Sequence, residues 1–181
     1  AELRASLDEA FRHGCYALVE SAVESPRELE VAVLEGESPV VSMPGEIRVS
    51  ANGSGWYDYA NKNENDSAEL LVPAAGLAPR FAEHLRDLSL LSFRALRLHG
   101  LARVDFLVDG KSGRVYLNEV NALPGFTSIS MYPRLLEHNG ISFTELCNRL
   151  VDAALDRAAA QPAVVPARPA VRELPAQAAA G

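Results

Sequence analysis

Apolar and polar residues alternate in several short stretches of the chain, which is the pattern of strands that bury one face. The segment ELEVAVLEG at residues 28–36 alternates in this way, and CYALVE at 15–20 is similarly apolar, so both predict strands. PVVSMPGEIRVS, residues 39–50, predicts further strand that is broken at its Pro-Gly pair. Two apolar runs flank a Gly-rich turn in RVDFLVDGKSGRVYLNEVN, residues 103–121, and predict a β-hairpin.

Other stretches repeat apolar residues at helical spacing. Residues 2–13 form an amphipathic pattern that ends at Gly14, a residue favoured just past a helix end. The same spacing predicts a second helix from about residue 79 to residue 99. Two more helices follow the hairpin, and the second of them opens with SFTE, in which Ser142 and Glu145 can form a capping box.

The composition excludes some classes of function but does not identify one. The chain has 181 residues, 48% of them hydrophobic, so it can bury one core of ordinary size. Its formal net charge of −7 argues against nucleic-acid and anionic-membrane partners. Cys15 and Cys147 lie far apart without the spacing of metal ligands, as expected of thiols in a reducing cytoplasm.

Two segments differ in composition from the rest. Residues 50–68 are polar and rich in Gly and Asn, which predicts a long surface loop of the kind that often carries function. Beyond about Arg157 the chain is rich in Ala and Pro and has little to bury, which predicts a disordered tail over 157–181. Residues 1–156 remain as the structured portion. The chain begins with Ala and without a helix cap, so we expect it to be a piece of a longer protein.

Four polar side chains stand at the outer ends of the hairpin, namely Arg103, Asp105, Glu119 and Asn121. Alternate residues of a strand share a face, so the two on each strand lie on one face together. If the turn is centred near Ser112, antiparallel pairing places Asp105 opposite Glu119. The same register places Arg103 opposite Asn121.

Two carboxylates that face each other across neighbouring strands repel and destabilise a sheet. A divalent cation between Asp105 and Glu119 removes that repulsion, and with Asn121 it meets only oxygen ligands, which suit Mg²⁺ and not zinc. The alternative is a solvent-facing rim in which Arg103 neutralises both acids, an arrangement that is common and stabilises little. Apolar residues occupy the opposite face and Leu117 shares the polar one, so we expect both faces to be covered and the charges to need a metal or an ion partner.

A tight turn follows the hairpin. PGFTS, residues 124–128, places Gly125 directly after the returning strand and before a helix that carries Ser130. The backbone N–H groups of such a turn can hold an oxyanion or a phosphate close to the metal ligands.

Together, residues 103–135 (RVDFLVDGKSGRVYLNEVNALPGFTSISMYPRL) closely resemble the C-terminal signature of D-alanine–D-alanine ligases, which are members of the ATP-grasp family. The likeness extends back through WYDYANK, GEIRV, ELEVAVL and LVESAVE and covers about residues 1–155. It implies an α+β fold, the C-terminal half of an ATP-grasp cleft, with a mainly antiparallel sheet flanked by helices. It also implies ATP-dependent ligation of two D-alanines through an acyl phosphate, for peptidoglycan precursor synthesis.

The resemblance gives each matching residue of the hairpin a role. Asp105, Glu119 and Asn121 match the metal ligands, with Glu119 touching both of two Mg²⁺ ions, in place of which Mn²⁺ could serve. Arg103 and the Gly125 amide match the groups that stabilise the oxyanion.

Further matches concern the substrates. Ser130 and Met131 match the position that holds the carboxylate of the second substrate at a helix start, where the dipole favours an anion. Five residues match those that hold ATP: Glu20, Ser21 and Val23 in the adenine-binding hinge within residues 1–36, Glu28 on the ribose hydroxyls, and Lys62 of the lid loop at 50–68 on the phosphates.

Lys62 and Lys111 are the only lysines. A loop lysine is usually just solvated, but Lys62 lies in WYDYANK, which matches the lid pattern of the family. Lys111 follows Gly110 in GKS, yet a phosphate-binding loop needs a glycine at position 105, where this chain has Asp. We therefore interpret Lys111 as a turn residue only.

The sequence departs from the family pattern at three places. Asn63 stands where Tyr is usual after the loop lysine, and this position bears on whether an amine or a hydroxyl acid is accepted second. Ala122 stands where Thr is common, and the interval from Glu20 to Glu28 is one residue longer than usual.

Two alternatives to a D-alanine–D-alanine ligase stay open at this stage. One is a non-enzymatic nucleotide-binding remnant, and the other is an ATP-grasp ligase with another acceptor, such as D-lactate. The first substrate domain of the family and two of its ATP-binding lysines have no counterpart in the sequence, so we expect little or no ligase activity from this chain alone. The resemblance implies that the complete protein is a homodimer in the cytoplasm.

Overall fold

A computed structural model of the chain describes residues 2–49 and 68–160. Most of the predicted lid loop, with Lys62 and Asn63, lies outside the described residues, and so does the predicted tail from residue 161 onward.

The described residues form an antiparallel sheet of six strands with helices packed on it, which confirms the α+β fold. The strands have the order β4-β3-β1-β5-β6, with β2 also paired to β1. In chain order the elements are α1 (Glu2–His13), β1 (Arg27–Leu34), β2 (Val40–Val41), β3 (Gly45–Val49), β4 (Ala68–Leu71), α2 (Pro79–Ala95), β5 (Leu101–Val108), β6 (Val115–Asn121), α3 (Met131–His138) and α4 (Phe143–Ala160).

Each face of the sheet carries its own apolar core. Because side chains alternate along β1, Leu29, Val31 and Val33 face one side and pack with α2. Ala32 and Leu34 face the other side and pack with α3 and the start of α4. β1 lies in the middle of the sheet, and this explains why its last six residues are all buried.

The predicted strand at residues 15–20 is wrong, because this segment has no regular structure and does not join the sheet. Tyr16 and Leu18 are 94% and 83% exposed. The preference of such residues for strands depends on a neighbouring strand and a surface to pack on, and the sheet offers neither to this segment.

The last helix begins as its sequence predicted and runs further. The backbone N–H of Glu145 donates to Ser142 Oγ at 3.2 Å, which is one of the two hydrogen bonds of the predicted capping box. The Glu145 carboxylate accepts from Arg149 Nε at 2.8 Å, an i, i+4 pair on the exposed side. α4 continues to Ala160, four residues past the predicted end of the structured portion. Among the helices of the described residues, none has the length and apolarity needed to span a membrane.

Candidate active site

The turn between β5 and β6 fixes the register of the hairpin. Asp109 accepts hydrogen bonds from the backbone N–H groups of Ser112 at 2.6 Å and Lys111 at 2.9 Å. The hydrogen bonds from Ser112, with the backbone hydrogen bond and the charge of Lys111, also hold the pKa of the Asp109 carboxyl below its usual range. Gly113 has a φ of 69°, a conformation that glycine adopts without strain. This turn determines which residues of the two strands face each other.

The register brings together the polar residues that the sequence singled out. Asp105 pairs with Glu119, as their spacing predicted. Arg103 likewise pairs with Asn121. The strand on the other side adds a further acid, because Glu30 of β1 lies opposite Asp105. Glu30, Asp105 and Glu119 therefore stand side by side on three adjacent strands, and we call them the carboxylate row.

The guanidinium of Arg103 binds within this row. Its Nε and Nη2 atoms donate to the two carboxylate oxygens of Asp105 at 2.8 and 2.7 Å. Arg103 Nε also lies 3.1 Å from Glu30 Oε2, and Nη2 lies 3.9 Å from Glu119 Oε1. Burial alone would lower the pKa of Arg103, but the hydrogen bonds to Asp105 and the charges of Glu30 and Asp105 raise it. Arg103 therefore stays a cation.

Burial differs along the carboxylate row. Glu30 and Asp105 are buried, whereas the Glu119 side chain is 54% exposed because β6 forms an edge of the sheet. A bulge after Asp105 makes Leu117 pair with Phe106, which puts Leu117 on the opposite face from Glu119. The expectation that both faces of the hairpin are covered is therefore correct for β5 and wrong for β6.

The donor set fits a magnesium ion that is shared with a phosphorylated ligand. Asp105, Glu119 and Asn121 offer hard oxygen atoms in neighbouring register positions. Asn121 Oδ1 accepts the backbone N–H of Leu123 at 3.1 Å, which orients the amide. Within residues 2–49 and 68–160, no group of three or more His, Cys, Asp or Glu has the geometry of a metal cage. Mg²⁺ needs only one or two carboxylates when phosphates and water complete its shell.

The turn after β6 places Gly125 against Ser130. A Cβ atom on Gly125 would lie 3.0 Å from Ser130 Oγ, which is tighter than most contacts of a Cβ atom, so this close approach favours glycine. Ser130 is the N-cap residue of α3 and not part of the helix, yet its hydroxyl does not cap α3. It accepts the backbone N–H of Thr127 at 3.1 Å and lies 2.8 Å from Thr127 Oγ1. Ser130 therefore organises the turn and leaves the first N–H groups of α3 to other partners.

A glycine in the sheet brings α3 close to the carboxylate row. Gly45 of β3 lies opposite Glu30, and a Cβ atom there would lie 2.9 Å from both Met131 Sδ and Leu135 Cδ2. Because Gly45 has no side chain, the first turn of α3 settles directly onto the sheet. The Met131 side chain is buried in this contact, so only its backbone can face a ligand.

Of the predicted ATP-binding residues that the structure describes, only Glu28 lies on a strand of the sheet. Glu20 and Ser21 are exposed in a segment without regular structure, and Val23 is half-buried. Glu28 is half-buried on β1, two residues before Glu30 and on the same face.

The tip of the hairpin binds the end of the hinge. Lys111 Nζ forms an ion pair with the Glu24 carboxylate, and the Gly110 N–H lies 3.4 Å from the Glu24 carbonyl oxygen. A Cβ atom on Gly110 would lie 2.6 Å from the Ser25 carbonyl oxygen, which no side chain can tolerate. Ser25 itself has a φ of 47°. It lies in the interval from Glu20 to Glu28, which is one residue longer than usual in the family. Lys111 is therefore more than the turn residue that the sequence suggested.

Residues 1–152 match the family model described as D-ala D-ala ligase C-terminus. The chain belongs to this D-alanine–D-alanine ligase family. It is similar to a D-alanine–D-alanine ligase of Chlorobium phaeobacteroides, with 50% identity over 156 residues that make up 86% of this chain and 42% of that protein.

Solved structures of ligases have the same fold. The D-alanyl-alanine synthetase A of Vibrio cholerae superposes with a TM-score of 0.71 at 33% identity, over 85% of this chain and 46% of that one. The VanG D-Ala:D-Ser ligase of Enterococcus faecalis has a TM-score of 0.71 at 32% identity, over 84% of this chain and 43% of that one. The chain thus spans less than half the length of these relatives.

The sequence pattern did not lead to a prediction for Glu30. The family resemblance pointed to Glu28 on β1, but the buried acid in contact with Arg103 is Glu30. A signal was present, because ELEV places Glu30 on the same face as Glu28, and an acid in the middle of a central strand needs a partner.

Proposed function

We propose that this chain is the catalytic, nucleotide-binding half of a D-alanine–D-alanine ligase that supplies a peptidoglycan precursor in the cytoplasm. The observation that carries the proposal is the buried contact of Arg103 with Asp105, in register with Glu119 and Asn121. Burying such a charged group is costly, and a catalytic task explains why it stands at the end of a hairpin.

The reaction has two steps. A carboxylate oxygen of the first D-alanine attacks the γ-phosphorus of ATP, and the bond from that phosphorus to the bridging oxygen breaks, which gives an acyl phosphate and ADP. The amine nitrogen of the second D-alanine then attacks the acyl carbon. The C–N bond forms, the amine loses a proton, and the C–O bond to phosphate breaks to release inorganic phosphate.

The residues of the carboxylate row and its neighbours have distinct tasks in this proposal. Asp105, Glu119 and Asn121 would hold two Mg²⁺ ions, or Mn²⁺ in their place. Such ions neutralise the charge that develops on phosphates during transfer. Arg103 and the Gly125 N–H stabilise the oxyanion that forms when the acyl carbon is attacked.

The substrates are held by the segments on either side of the hairpin. The Ser130 position and the backbone of Met131, at the start of α3, bind the carboxylate of the second D-alanine, because free N–H groups and the helix dipole favour an anion there. The following residues bind ATP in this proposal: Glu20, Ser21 and Val23 at adenine, Glu28 at ribose, and Lys62 at the phosphates.

A ligase with an acceptor other than D-alanine is the second candidate function. The Vibrio and Enterococcus structures, a D-alanyl-alanine synthetase and a D-Ala:D-Ser ligase, match this chain with the same TM-score. Asn63, where the family usually has Tyr, lies outside the described residues. Product analysis with D-alanine, D-serine and D-lactate in competition distinguishes the acceptors, and we expect mainly the D-alanine dipeptide.

The direct test is D-alanine-dependent phosphate release by the protein expressed from its complete open reading frame. We expect Asp105→Ala to abolish turnover while urea unfolding stays cooperative, because the donor set loses its buried carboxylate. A turnover close to that of the parent protein in Asp105→Ala would contradict the proposal, and so would ATP binding without turnover, which is the behaviour of a non-enzymatic remnant. Sedimentation of the same protein tests the proposed homodimer.

A further inference from the structure

Glu30 stands at one end of the carboxylate row, on the opposite side of Asp105 from Glu119. Only 5% of its surface is exposed, in the middle of the central strand β1. The family resemblance gives it no role. A buried carboxylate at this place is costly unless a charge that it stabilises repays the desolvation.

Glu30 contacts Arg103, whose Nε atom lies 3.1 Å from Glu30 Oε2. The same guanidinium binds both carboxylate oxygens of Asp105. Arg103 therefore has two buried anionic partners, one on its own strand and one on β1. Together with Glu119, these three acids exceed the single positive charge of Arg103 by two formal charges.

This arrangement matters because Asp105 has two tasks in the proposed function. It binds Arg103, and it is also the buried ligand that a divalent cation would use. Two positive groups on one carboxylate repel each other, and in a buried site this repulsion is strong. A metal cation bound to Asp105 therefore weakens the interaction of Asp105 with Arg103. A second anion is then needed to keep the guanidinium in place.

We propose that Glu30 is a positioning residue that holds Arg103 in the active site when a divalent cation binds Asp105. Glu30 contacts the guanidinium from the β1 side, while Glu119 and Asn121 lie on the β6 side of Asp105. This inference rests on the proposed function, because it assumes that Asp105 is a metal ligand.

The chain offers a matched control for a variant of Glu30. Glu46 is 3% exposed on the neighbouring strand β3, and it binds Arg27 Nε at 2.8 Å. It pairs with Leu29, so it lies on the opposite face of the sheet from Glu30. Glu46→Gln and Glu30→Gln therefore each remove the charge of a buried glutamate that is paired with an arginine, and only Glu30 belongs to the carboxylate row.

The first experiment follows the Arg103 Nε–H signal by nitrogen-15 NMR, in the protein with and without MgCl₂ and ADP. In the parent protein and in Glu46→Gln we expect slow hydrogen exchange under both conditions. In Glu30→Gln we expect the signal to exchange clearly faster once Mg²⁺ is added, because one anionic partner of the guanidinium is lost while the cation competes for the other. Equal exchange in Glu30→Gln and the parent protein with Mg²⁺ would overturn the proposal.

The second experiment measures the Mg²⁺ dependence of D-alanine-dependent phosphate release. We expect Glu30→Gln to lower kcat by about 10–100-fold with little change in the KM for ATP, and Glu46→Gln to leave both unchanged. Equal losses in the two variants would indicate a merely structural role for Glu30 and overturn the proposal. If the protein expressed from its complete open reading frame has no ligase activity, the proposed function fails, and the NMR experiment still decides whether Glu30 holds Arg103 against a bound cation.

Discussion

Arg103 links the stability of the fold to its chemistry. Its side chain is 9% exposed and touches two buried carboxylates, Glu30 and Asp105. Removing the Arg103 cation leaves both acids buried without its charge. This lowers the free energy of unfolding far more than the loss of a surface ion pair does.

We therefore expect Arg103→Met to lower the free energy of unfolding by about 3–5 kcal/mol, measured by urea denaturation. Arg149→Met is the control, because Arg149 pairs with Glu145 where both side chains are about half exposed, and its loss should cost less than about 1 kcal/mol. Similar costs for the two variants would contradict the buried placement of Arg103.

The ion pair of Glu46 predicts how stability changes with pH. Burial alone would raise the pKa of Glu46, but the hydrogen bond from Arg27 and the charges of Arg27 and Arg48 hold it below its ordinary value of 4.5. Because the pKa of Glu46 is lower in the folded state than in the unfolded state, its charge stabilises the fold at pH values above 4.5. This contribution is lost as the pH falls through the pKa of the folded state.

Urea unfolding of the parent chain and of Glu46→Gln at several pH values tests this. We expect the parent to be more stable by about 1–3 kcal/mol at pH 7, and the difference to shrink steadily as the pH falls below 4.5. Glu37→Gln, which changes an exposed glutamate, is the control variant. A difference that is constant with pH would contradict the ion pair.

At the scale of elements, the sequence predicted the hairpin well because its signal is local. The alternation of side chains and the turn around Ser112 are enough to define which residues pair. The bulge that turns Leu117 to the other face leaves no comparable mark in the sequence, so the burial of β6 was predicted wrongly. The strand predicted at 15–20 failed because a strand also depends on neighbours far along the chain.

The docking of α3 depends on Gly45, so we expect Gly45→Ala to destabilise the chain by about 1–3 kcal/mol, because the new methyl group overlaps Met131 and Leu135. Gly36→Ala is the control, because its methyl group would meet only Ser38 O at 3.5 Å. Urea denaturation compares the two variants. An equal, small effect in both would contradict the close contact of α3 with the sheet.

At the scale of the whole molecule, the chain spans 42% of the Chlorobium ligase that it matches. The hairpin, the turn at Gly125 and the start of α3 meet on one face of the sheet. Residues near the hinge are instead largely exposed, as with Tyr16 and Leu18. Their proposed roles rest only on the resemblance, because nothing in their local sequence pattern indicates a nucleotide.

We expect the 181-residue chain alone to release little or no phosphate in response to D-alanine, since an ATP-grasp site is a cleft between two halves. Phosphate release with ATP, Mg²⁺ and D-alanine measures this, with a complete ligase as the positive control. Turnover near that of the complete ligase would contradict the expectation.

The central claim is that Asp105, Glu119 and Asn121 hold a divalent cation. Anomalous diffraction from crystals grown with Mn²⁺ and a nucleotide tests it most directly, because Mn²⁺ binds the same hard oxygen ligands as Mg²⁺. We expect anomalous peaks for two ions, with oxygen atoms of Glu119 about 2.0–2.3 Å from both and with Asp105 and Asn121 among their other ligands. A peak elsewhere in the molecule, or Mn²⁺ bound to the nucleotide alone while these side chains point away, would contradict the account.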